Sequence, residues 1–226
     1  MGRRATRDDE RLEKRTRILD AAADLLAAGD YRRITVEHVA RAAGEAKGTL
    51  YLYFSGKEAL FLGLLGRELR SWADDLAGDL SSPRRETSRH AGAAEVVGAA
   101  EVVGAAEVVG AAEVTTPSAL ASVFVRSLRG RGVFVRLVAL SQAILEQGVS
   151  HDAALSYKSA LRDAVSRLAA LLAEHVPALG AEEGARLLIF LYALVVGLYY
   201  QTNPAAVVRD VIRSHGMTEF ELDFEA

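Results

Sequence analysis

The sequence contains no cysteine, only four prolines and a single tryptophan among its 226 residues. The lack of cysteine excludes disulfides, thiolate metal sites and a cysteine nucleophile, and it agrees with a reducing compartment. Residues 1–17 carry too many charges to form a signal peptide. We therefore expect a cytoplasmic protein.

Long hydrophobic runs are also missing. The longest uninterrupted apolar segment, LLIFLYALVVGLYY at 187–200, has 14 residues, whereas a membrane-spanning helix needs about 20. This length favours a buried core helix or a subunit interface and predicts no membrane partner. The alternative, a non-enzymatic membrane-associated helical protein, depends on this segment alone.

Known catalytic motifs are absent as well. The five histidines are scattered without metal-ligand spacing, and the sequence has no G-x-S-x-G, no P-loop and no G-x-G-x-x-G. We expect no enzymatic activity, no metal site and no cofactor.

Charge is distributed unevenly along the chain. Residues 1–57 contain 12 Lys/Arg and 9 Asp/Glu, a net charge of +3, and residues 58–226 contain 15 and 21, a net charge of −6. A basic N-terminal segment on an acidic body indicates that only this segment meets a polyanion such as nucleic acid. Solvated helices often carry similar charges, so the pattern alone does not decide.

Two helices are predicted near the N-terminus. Residues 11–28 have apolar positions at helical spacing, and residues 35–43 have a second, shorter apolar stripe. Thr35 is a suitable N-cap for the second helix, and Gly44 is a suitable left-handed stop. The second helix therefore spans about two turns.

The next segment, AKGTLYLYF at 46–54, alternates in a way that is typical of a half-buried strand. A strand here would lack a pairing partner for its backbone. A reciprocal capping pattern, Ser55-x-x-Glu58, predicts that a new helix starts directly afterwards. A short helix over 46–54 satisfies its own backbone and places Leu50 and Phe54 on one face.

Two short helices joined by a turn, with a supporting helix before them, form a helix-turn-helix unit, which places its second helix in the DNA major groove. The side chains suit this function. Lys47 supplies charge, Gly48 permits close approach, Thr49 can bond to bases, and the hydroxyls of Tyr51 and Tyr53 can bond to phosphates. The alternative is that both tyrosines are core aromatics and Lys47 is merely solvated.

The segment TVEHVARAAGEAKGTLYLYFSGKEALF at 35–61 resembles the DNA-binding signature of TetR/AcrR-family transcriptional regulators. The resemblance implies an all-α homodimer, usually a repressor, with an N-terminal three-helix DNA-binding domain and a larger C-terminal domain that binds a small molecule. It also implies a double-stranded DNA operator as partner. By position, the DNA-contacting roles fall to Thr35, Ala46, Lys47, Gly48, Thr49, Tyr51, Tyr53 and Lys57.

Glu45 departs from the family pattern, which commonly has a small apolar residue at this position. An acidic side chain would repel phosphate if it faced the DNA. Close to the N-terminus of the recognition helix it also gains from the helix dipole. We expect Glu45 to cap this helix at a modest cost in DNA affinity.

The domain boundary is predicted after residue 57, so that residues 58–226 form the ligand-binding and dimerisation domain. Helices are expected at 118–129, 132–148, 152–175, 182–202 and 204–214. The helix at 182–202 is apolar nearly all round and must be covered on most sides. Its pairing, together with 152–175, against the same helices of a second copy would form a four-helix dimer interface.

Aromatic and polar residues of this domain can line a pocket for a small apolar effector, although an aromatic on an apolar helix is more often plain core. The candidates are Trp72, Phe124, Phe134, Gln142, Glu146, Tyr157 and Tyr192.

Residues 92–115 repeat the unit GAAEVV four times, with Thr115 replacing the last valine. A period of six residues produces no single helical stripe, and glycine and alanine are poor strand formers. We interpret the repeat as a partly helical, low-complexity insertion between helices of the C-terminal domain. A role in ligand or partner binding is the alternative.

Overall fold

The computed structural model describes residues 2–81, 117–176, 178–222 and 224. Every regular element within these ranges is a helix, which confirms the predicted all-α fold. The GAAEVV repeat at 92–115 lies outside the described residues, so its interpretation as an insertion stays a prediction.

Four helices build the N-terminal part: α1 (Gly2–Ala28), α2 (Val36–Ala42), α3 (Lys47–Tyr51) and α4 (Lys57–Ser81). Helix α1 begins well before the predicted start at residue 11. The hydroxyl oxygen of Thr35 accepts a hydrogen bond from the His38 amide at 3.2 Å, as expected of the α2 N-cap. Gly44 ends this region with a φ of 68°, the left-handed conformation predicted for it.

Within the alternating segment 46–54, residues Lys47–Tyr51 form a helix, which confirms the predicted helix over a shorter span than expected. Beyond the single turn of α3, the Phe54 amide donates a hydrogen bond to the Leu50 carbonyl oxygen at 2.9 Å. Leu50 and Phe54 are buried in one cluster with Ile18 and Val39. Burial of two residues four positions apart is what holds this short helix in place.

The start of α4 differs from the capping prediction. The helix begins at Lys57, two residues beyond Ser55, and the Leu60 amide donates to the Gly56 carbonyl oxygen at 3.1 Å. The Glu58 carboxylate accepts from the Tyr31 hydroxyl at 3.5 Å. The reciprocal cap does not form because the buried Tyr31 brings a hydrogen-bond donor to the carboxylate.

The C-terminal part contains α5 (Pro117–Leu128), α6 (Gly132–Leu140), α7 (His151–His175), α8 (Ala181–Thr202) and α9 (Ala206–Ser214). Helix α6 continues into a π-helical segment, Ser141–Leu145, so the helix predicted over 132–148 ends earlier. Helices α7 and α8 each begin one residue before their predicted starts.

Helix α4 connects the two parts. It packs on α1 at its beginning and on α5, α6 and α7 further along. Its buried residues extend from Ala59 to Leu80 and join a single core that runs from Ile18 to Leu188. Helix α4 is therefore in direct contact with both α1 and the helices of the C-terminal part.

Helix α8 is not covered on all sides within one chain. Ile189, Phe190, Leu194 and Leu198 are exposed along one face. No helix in the described part of the chain is long and apolar enough to cross a membrane. The exposed face of α8 is therefore an apolar surface that a single copy leaves without a partner.

Candidate nucleic-acid interface and effector cavity

Helix α3 has one buried and one exposed side. Leu50 is fully buried, whereas Tyr51 is 51% exposed. Ala46, Lys47 and Gly48 at its beginning are also exposed. No heavy atom lies within 4 Å of the position that a Cβ would take at Gly48, so a ligand backbone can approach the helix closely there.

The other predicted contact residues surround this surface. Thr49 and Tyr53 are partly buried, and Thr35 is exposed at the start of α2. The Arg11 guanidinium lies 5.8 Å from the centre of the Tyr53 ring. Helix α1 thus adds a cation at the edge of the surface formed by α2 and α3.

Lys57 is turned toward the protein. Its Nζ donates to the Tyr31 carbonyl oxygen at 2.6 Å and lies 3.8 Å from the centre of the Tyr31 ring. Burial lowers the pKa of Lys57, and the nearby Glu58 carboxylate acts in the opposite direction. The Lys57 ammonium is therefore already engaged by Tyr31, although it has further protons to donate.

Glu45 does not cap α3, so that expectation is wrong. Its carboxylate accepts a hydrogen bond from the Arg17 guanidinium at 2.9 Å, and the N-cap position belongs to Ala46, which forms no side-chain cap bond. The Glu45 side chain is only 12% exposed. The interaction with a cation on α1, 28 residues away in sequence, outweighs the weaker attraction of a five-residue helix dipole.

Arg17 and Leu52 were missed from sequence. Leu52 is 75% exposed between the two tyrosines, so this apolar side chain lies on the surface. The sequence did contain a signal for Leu52. Residues two positions apart in a helix point in different directions, so a short helix that buries Leu50 leaves Leu52 exposed. Arg17 had no local signal.

A mostly apolar cavity of about 240 Å³ lies among helices α4 to α8. Six of the seven predicted effector residues line it: Trp72, Phe124, Phe134, Gln142, Tyr157 and Tyr192. The Trp72 ring stacks on Phe134 with centroids 5.5 Å apart, and its Nε1 donates to the Ser127 hydroxyl at 3.0 Å. The tryptophan therefore offers the cavity an apolar ring face while its polar atom is bonded elsewhere. We call this space the effector cavity.

A few polar groups interrupt the apolar lining. The Ser141 hydroxyl donates to the Val138 carbonyl oxygen at 2.7 Å, so its oxygen accepts a hydrogen bond from the Tyr192 hydroxyl at 2.8 Å. Burial raises the pKa of Tyr157, so its hydroxyl stays protonated at neutral pH. Convergent hydroxyls in an apolar cavity can orient a polar group of a ligand.

Glu146 does not line the effector cavity. Its carboxylate forms an ion pair with the Lys158 ammonium at 3.0 Å, and only Lys158 reaches the cavity wall. Glu146 therefore reduces the positive charge at the cavity wall by pairing with Lys158.

A second cavity, of about 330 Å³, lies between α1, α4 and the beginning of α7. Arg15 and Arg70 line it together with Gly63 and Gly66. Tyr157 lines both this space and the effector cavity. We call it the dibasic cavity, and sequence reasoning missed it because its walls come from three distant segments.

Four of the five histidines lie in the described residues: His38 on α2, His151 and His175 at the two ends of α7, and His215 after α9. His90 lies outside the described residues. Within the ranges that the structure describes, no group of three or more His, Asp or Glu side chains is placed to hold a metal ion.

Comparison with protein families gives two matches. Residues 99–226 match the model described as "Tetracyclin repressor-like, C-terminal domain", which covers more than half of the chain. Residues 18–64 match the model described as "Bacterial regulatory proteins, tetR family", and this range contains α2, α3 and the start of α4.

Curated relatives are similar over the N-terminal part. A fatty acid metabolism regulator protein of Bacillus subtilis is 33% identical over 67 residues, 30% of this chain and 34% of the relative. The HTH-type transcriptional repressor KstR of Mycolicibacterium smegmatis is 45% identical over 56 residues, 25% of this chain and 28% of the relative. The aligned regions thus span about a third or less of these relatives.

Solved structures are similar over nearly the whole chain. The fatty acid degradation regulator FadR from Bacillus halodurans has a TM-score of 0.53 at 18% identity, covering 90% of this chain and 93% of that one. A FadR regulator from Bacillus subtilis, solved in complex with stearoyl-CoA, has a TM-score of 0.50 at 16% identity, covering 92% and 99%. At these identities the likeness establishes a shared fold.

Proposed function

Because the chain belongs to the TetR family of bacterial regulatory proteins, we propose that it is a DNA-binding transcriptional repressor that a small apolar effector releases from its operator. The observation that carries this proposal is the half-buried α3, which anchors Leu50 in the core and leaves Lys47, Gly48 and Tyr51 exposed. Such a protein acts on the chromosome, and its location is then the bacterial cytoplasm.

In the proposed complex, α3 lies in the major groove of the operator. Its first residues approach base edges, where the Thr49 hydroxyl and methyl can contact bases. Lys47 and the hydroxyls of Tyr51 and Tyr53 bind phosphates on either side, and Thr35 and Lys57 add contacts at the starts of α2 and α4. The functional boundary between the two domains lies near residue 57.

The proposed repressor is a homodimer formed through α7 and α8. The exposed apolar face of α8 supports this assembly, because contiguous apolar surfaces of this kind are typical of subunit interfaces. Two recognition helices separated by about one turn of DNA, roughly 34–36 Å, would read a near-palindromic operator.

The effector is proposed to enter the effector cavity. Its lining is mostly apolar, which suits a ligand with a long apolar part, and its polar groups come from Gln142, Tyr157, Lys158 and Tyr192. The FadR regulator of the same fold that binds stearoyl-CoA supports an acyl chain as this part. A ligand that binds better to a conformation with the wrong spacing of recognition helices lowers DNA affinity.

Selection of bound fragments from random DNA by the purified protein tests the proposed function. The enriched site should be a near-palindrome with half-sites spaced by about 10–10.5 base pairs or a multiple of this. Recovery of no enriched sequence, or of a single asymmetric half-site, would contradict a dimeric operator-binding protein.

Replacement of Lys47 by alanine tests the position of α3. DNA binding should weaken for all sequences, and the slope of log affinity against log salt should fall by about 0.9 because one phosphate contact is lost. Arg126→Ala, which removes an exposed arginine of α5, is the matched control and should leave the slope unchanged. Unchanged binding by a triple variant, Lys47→Ala with Thr49→Ala and Tyr51→Phe, would show that α3 is not the recognition helix.

A further inference from the structure

The dibasic cavity brings two arginines together from helices far apart in sequence. Arg15 comes from α1 and Arg70 from α4. At Gly63 a Cβ would lie 2.8 Å from a ring carbon of Phe54 and 3.4 Å from an Arg15 guanidinium nitrogen. The Arg15 guanidinium therefore lies close to α4 at Gly63, 5.4 Å from the centre of the Phe54 ring.

The charges of these two arginines are not balanced by neighbours. Arg67, one turn before Arg70, is bonded to Asp20 at 2.6 Å and to Glu68 at 3.0 Å. Across the part of the chain that the structure describes, neither Arg15 nor Arg70 has a carboxylate within the 4.0 Å of an ion pair. The carboxylate on the cavity wall is that of Asp152, whose side chain is 99% exposed.

The two guanidinium groups carry like charges. Burial, and next the charges of Arg70 and Arg67, lower the pKa of Arg15. A guanidinium retains its charge in proteins, so the repulsion between the groups persists at neutral pH. An anion placed between Arg15 and Arg70 would remove this repulsion and gain charge-assisted hydrogen bonds.

The dibasic cavity adjoins the effector cavity. Tyr157, which is 4% exposed to solvent, forms a wall of both spaces. The effector cavity is lined mostly by apolar side chains, whereas the dibasic cavity is lined by Arg15, Arg70 and the hydroxyl residues Ser55 and Ser156. A ligand that extends past Tyr157 would thus have an apolar chain at one end and an anionic group at the other.

We propose that the dibasic cavity binds the phosphate-bearing head of an amphiphilic effector whose apolar chain fills the effector cavity. This inference rests on the proposed function, because it assigns the second half of the same effector site. A phosphate is the matching group because its oxygens accept bidentate bonds from guanidinium groups.

This subsite gives the effector a direct contact with the DNA-binding part. Arg15 lies on α1, which packs on α2, whereas Tyr157 and Ser156 lie on α7 of the C-terminal part. A phosphate between them ties α1 to α4 and α7, and so selects one position of the recognition helix. Effector binding then changes DNA affinity through the head group as well as through the chain.

Titrations that follow the fluorescence of Trp72 test the inference, because Trp72 is the single tryptophan and lines the effector cavity. The probes are dodecyl phosphate, 1-dodecanol and inorganic phosphate. Dodecyl phosphate should bind the wild-type protein at least about tenfold more tightly than 1-dodecanol, the factor expected for one charge-assisted bond. Inorganic phosphate at millimolar concentration should compete with dodecyl phosphate without changing the fluorescence itself.

The informative variant is Arg70→Gln, because Arg70 is exposed and its replacement should leave the fold intact. It should weaken dodecyl phosphate about tenfold and alter 1-dodecanol affinity by less than about twofold. Arg126→Gln, which removes an exposed arginine of α5 away from the cavity, is the matched control and should change neither affinity.

The outcomes separate this inference from the proposed function. Equal losses for both dodecyl compounds in Arg70→Gln, or no loss for either, would overturn the phosphate subsite while the effector cavity stands. Binding of inorganic phosphate as tight as that of dodecyl phosphate would overturn the two-part ligand in favour of free phosphate. Failure of both dodecyl compounds to bind the wild-type protein would contradict the effector cavity itself, and the inference would fall with it.

Discussion

Glu45 shows how one residue can change its role between sequence and structure. In the sequence it stands just before the recognition helix, where an acidic group favours the helix N-terminus and repels DNA. In the folded chain its carboxylate is paired with Arg17 at 2.9 Å. A pair with one partner 52% exposed contributes only about 0–1 kcal/mol to stability, so its main effect is to neutralise the charge of Arg17 beside the proposed DNA-binding surface.

Replacement of Glu45 by glutamine should therefore increase DNA affinity. The change removes one negative charge and releases Arg17, and we expect a gain of about two- to fivefold at low salt that shrinks as salt screens the phosphates. Electrophoretic mobility shifts at two salt concentrations measure this gain. Glu37→Gln, on the exposed side of α2, is the comparison. A loss of affinity in Glu45→Gln would show instead that the ion pair orients α3.

At the scale of elements, the turn between α2 and α3 determines where the recognition helix points. Gly44 has a φ of 68° there, which costs a residue with a Cβ about 1–2 kcal/mol. Gly48, four residues later, lies inside α3, and a Cβ at that position would meet no neighbouring atom within 4 Å. The two glycines therefore serve different purposes. Gly44 permits the left-handed backbone of the turn, and Gly48 leaves the surface of α3 open to a ligand.

Alanine substitutions at the two glycines should have opposite effects on stability. Gly44→Ala should lower the free energy of unfolding by about 1–2 kcal/mol because of its left-handed backbone. Gly48→Ala should raise it by up to about 1 kcal/mol through helix propensity, yet weaken DNA binding if the DNA backbone approaches that position. Urea unfolding followed by circular dichroism measures both. A destabilised Gly48→Ala would mean that α3 packs more closely than its surroundings indicate.

At the scale of the whole molecule, α8 is the element that a single chain leaves incomplete. It carries the longest apolar run, but Phe190 is 70% exposed and Leu194 is 56% exposed. Apolar side chains exposed to water along one face favour the association of two copies, because association removes this surface from water. The proposed dimer would cover this face and hold two recognition helices at a constant distance.

Introduction of charge on this face should separate the subunits. Leu194→Glu should sediment as a monomer in analytical ultracentrifugation, because burying an unpaired carboxylate at an apolar interface is strongly unfavourable. Its affinity for the selected operator should fall by at least about a hundredfold because two half-sites are no longer bound together. Val125→Glu on α5 begins from the same exposure of 56% and should stay dimeric. A dimeric Leu194→Glu would place the interface elsewhere.

The sequence was sufficient for features that depend on neighbours within one or two helical turns. The cap at Thr35, the stop at Gly44, the burial of Leu50 with Phe54 and the bounds of α7 and α8 all follow from local spacing, because helix hydrogen bonds and amphipathic stripes connect residues three to four positions apart. The all-α fold and the family signature belong to the same local information.

Only the tertiary structure decided which distant side chains meet. Arg17 joins Glu45 across 28 residues, Lys57 turns back to the Tyr31 carbonyl, and Arg15 and Arg70 line one cavity. Periodicity states which face of a helix is buried but not which helix covers it, since that depends on how all the helices pack at once. The recognition helix was therefore readable from the chain, whereas the charge around it and the dibasic cavity were created by packing.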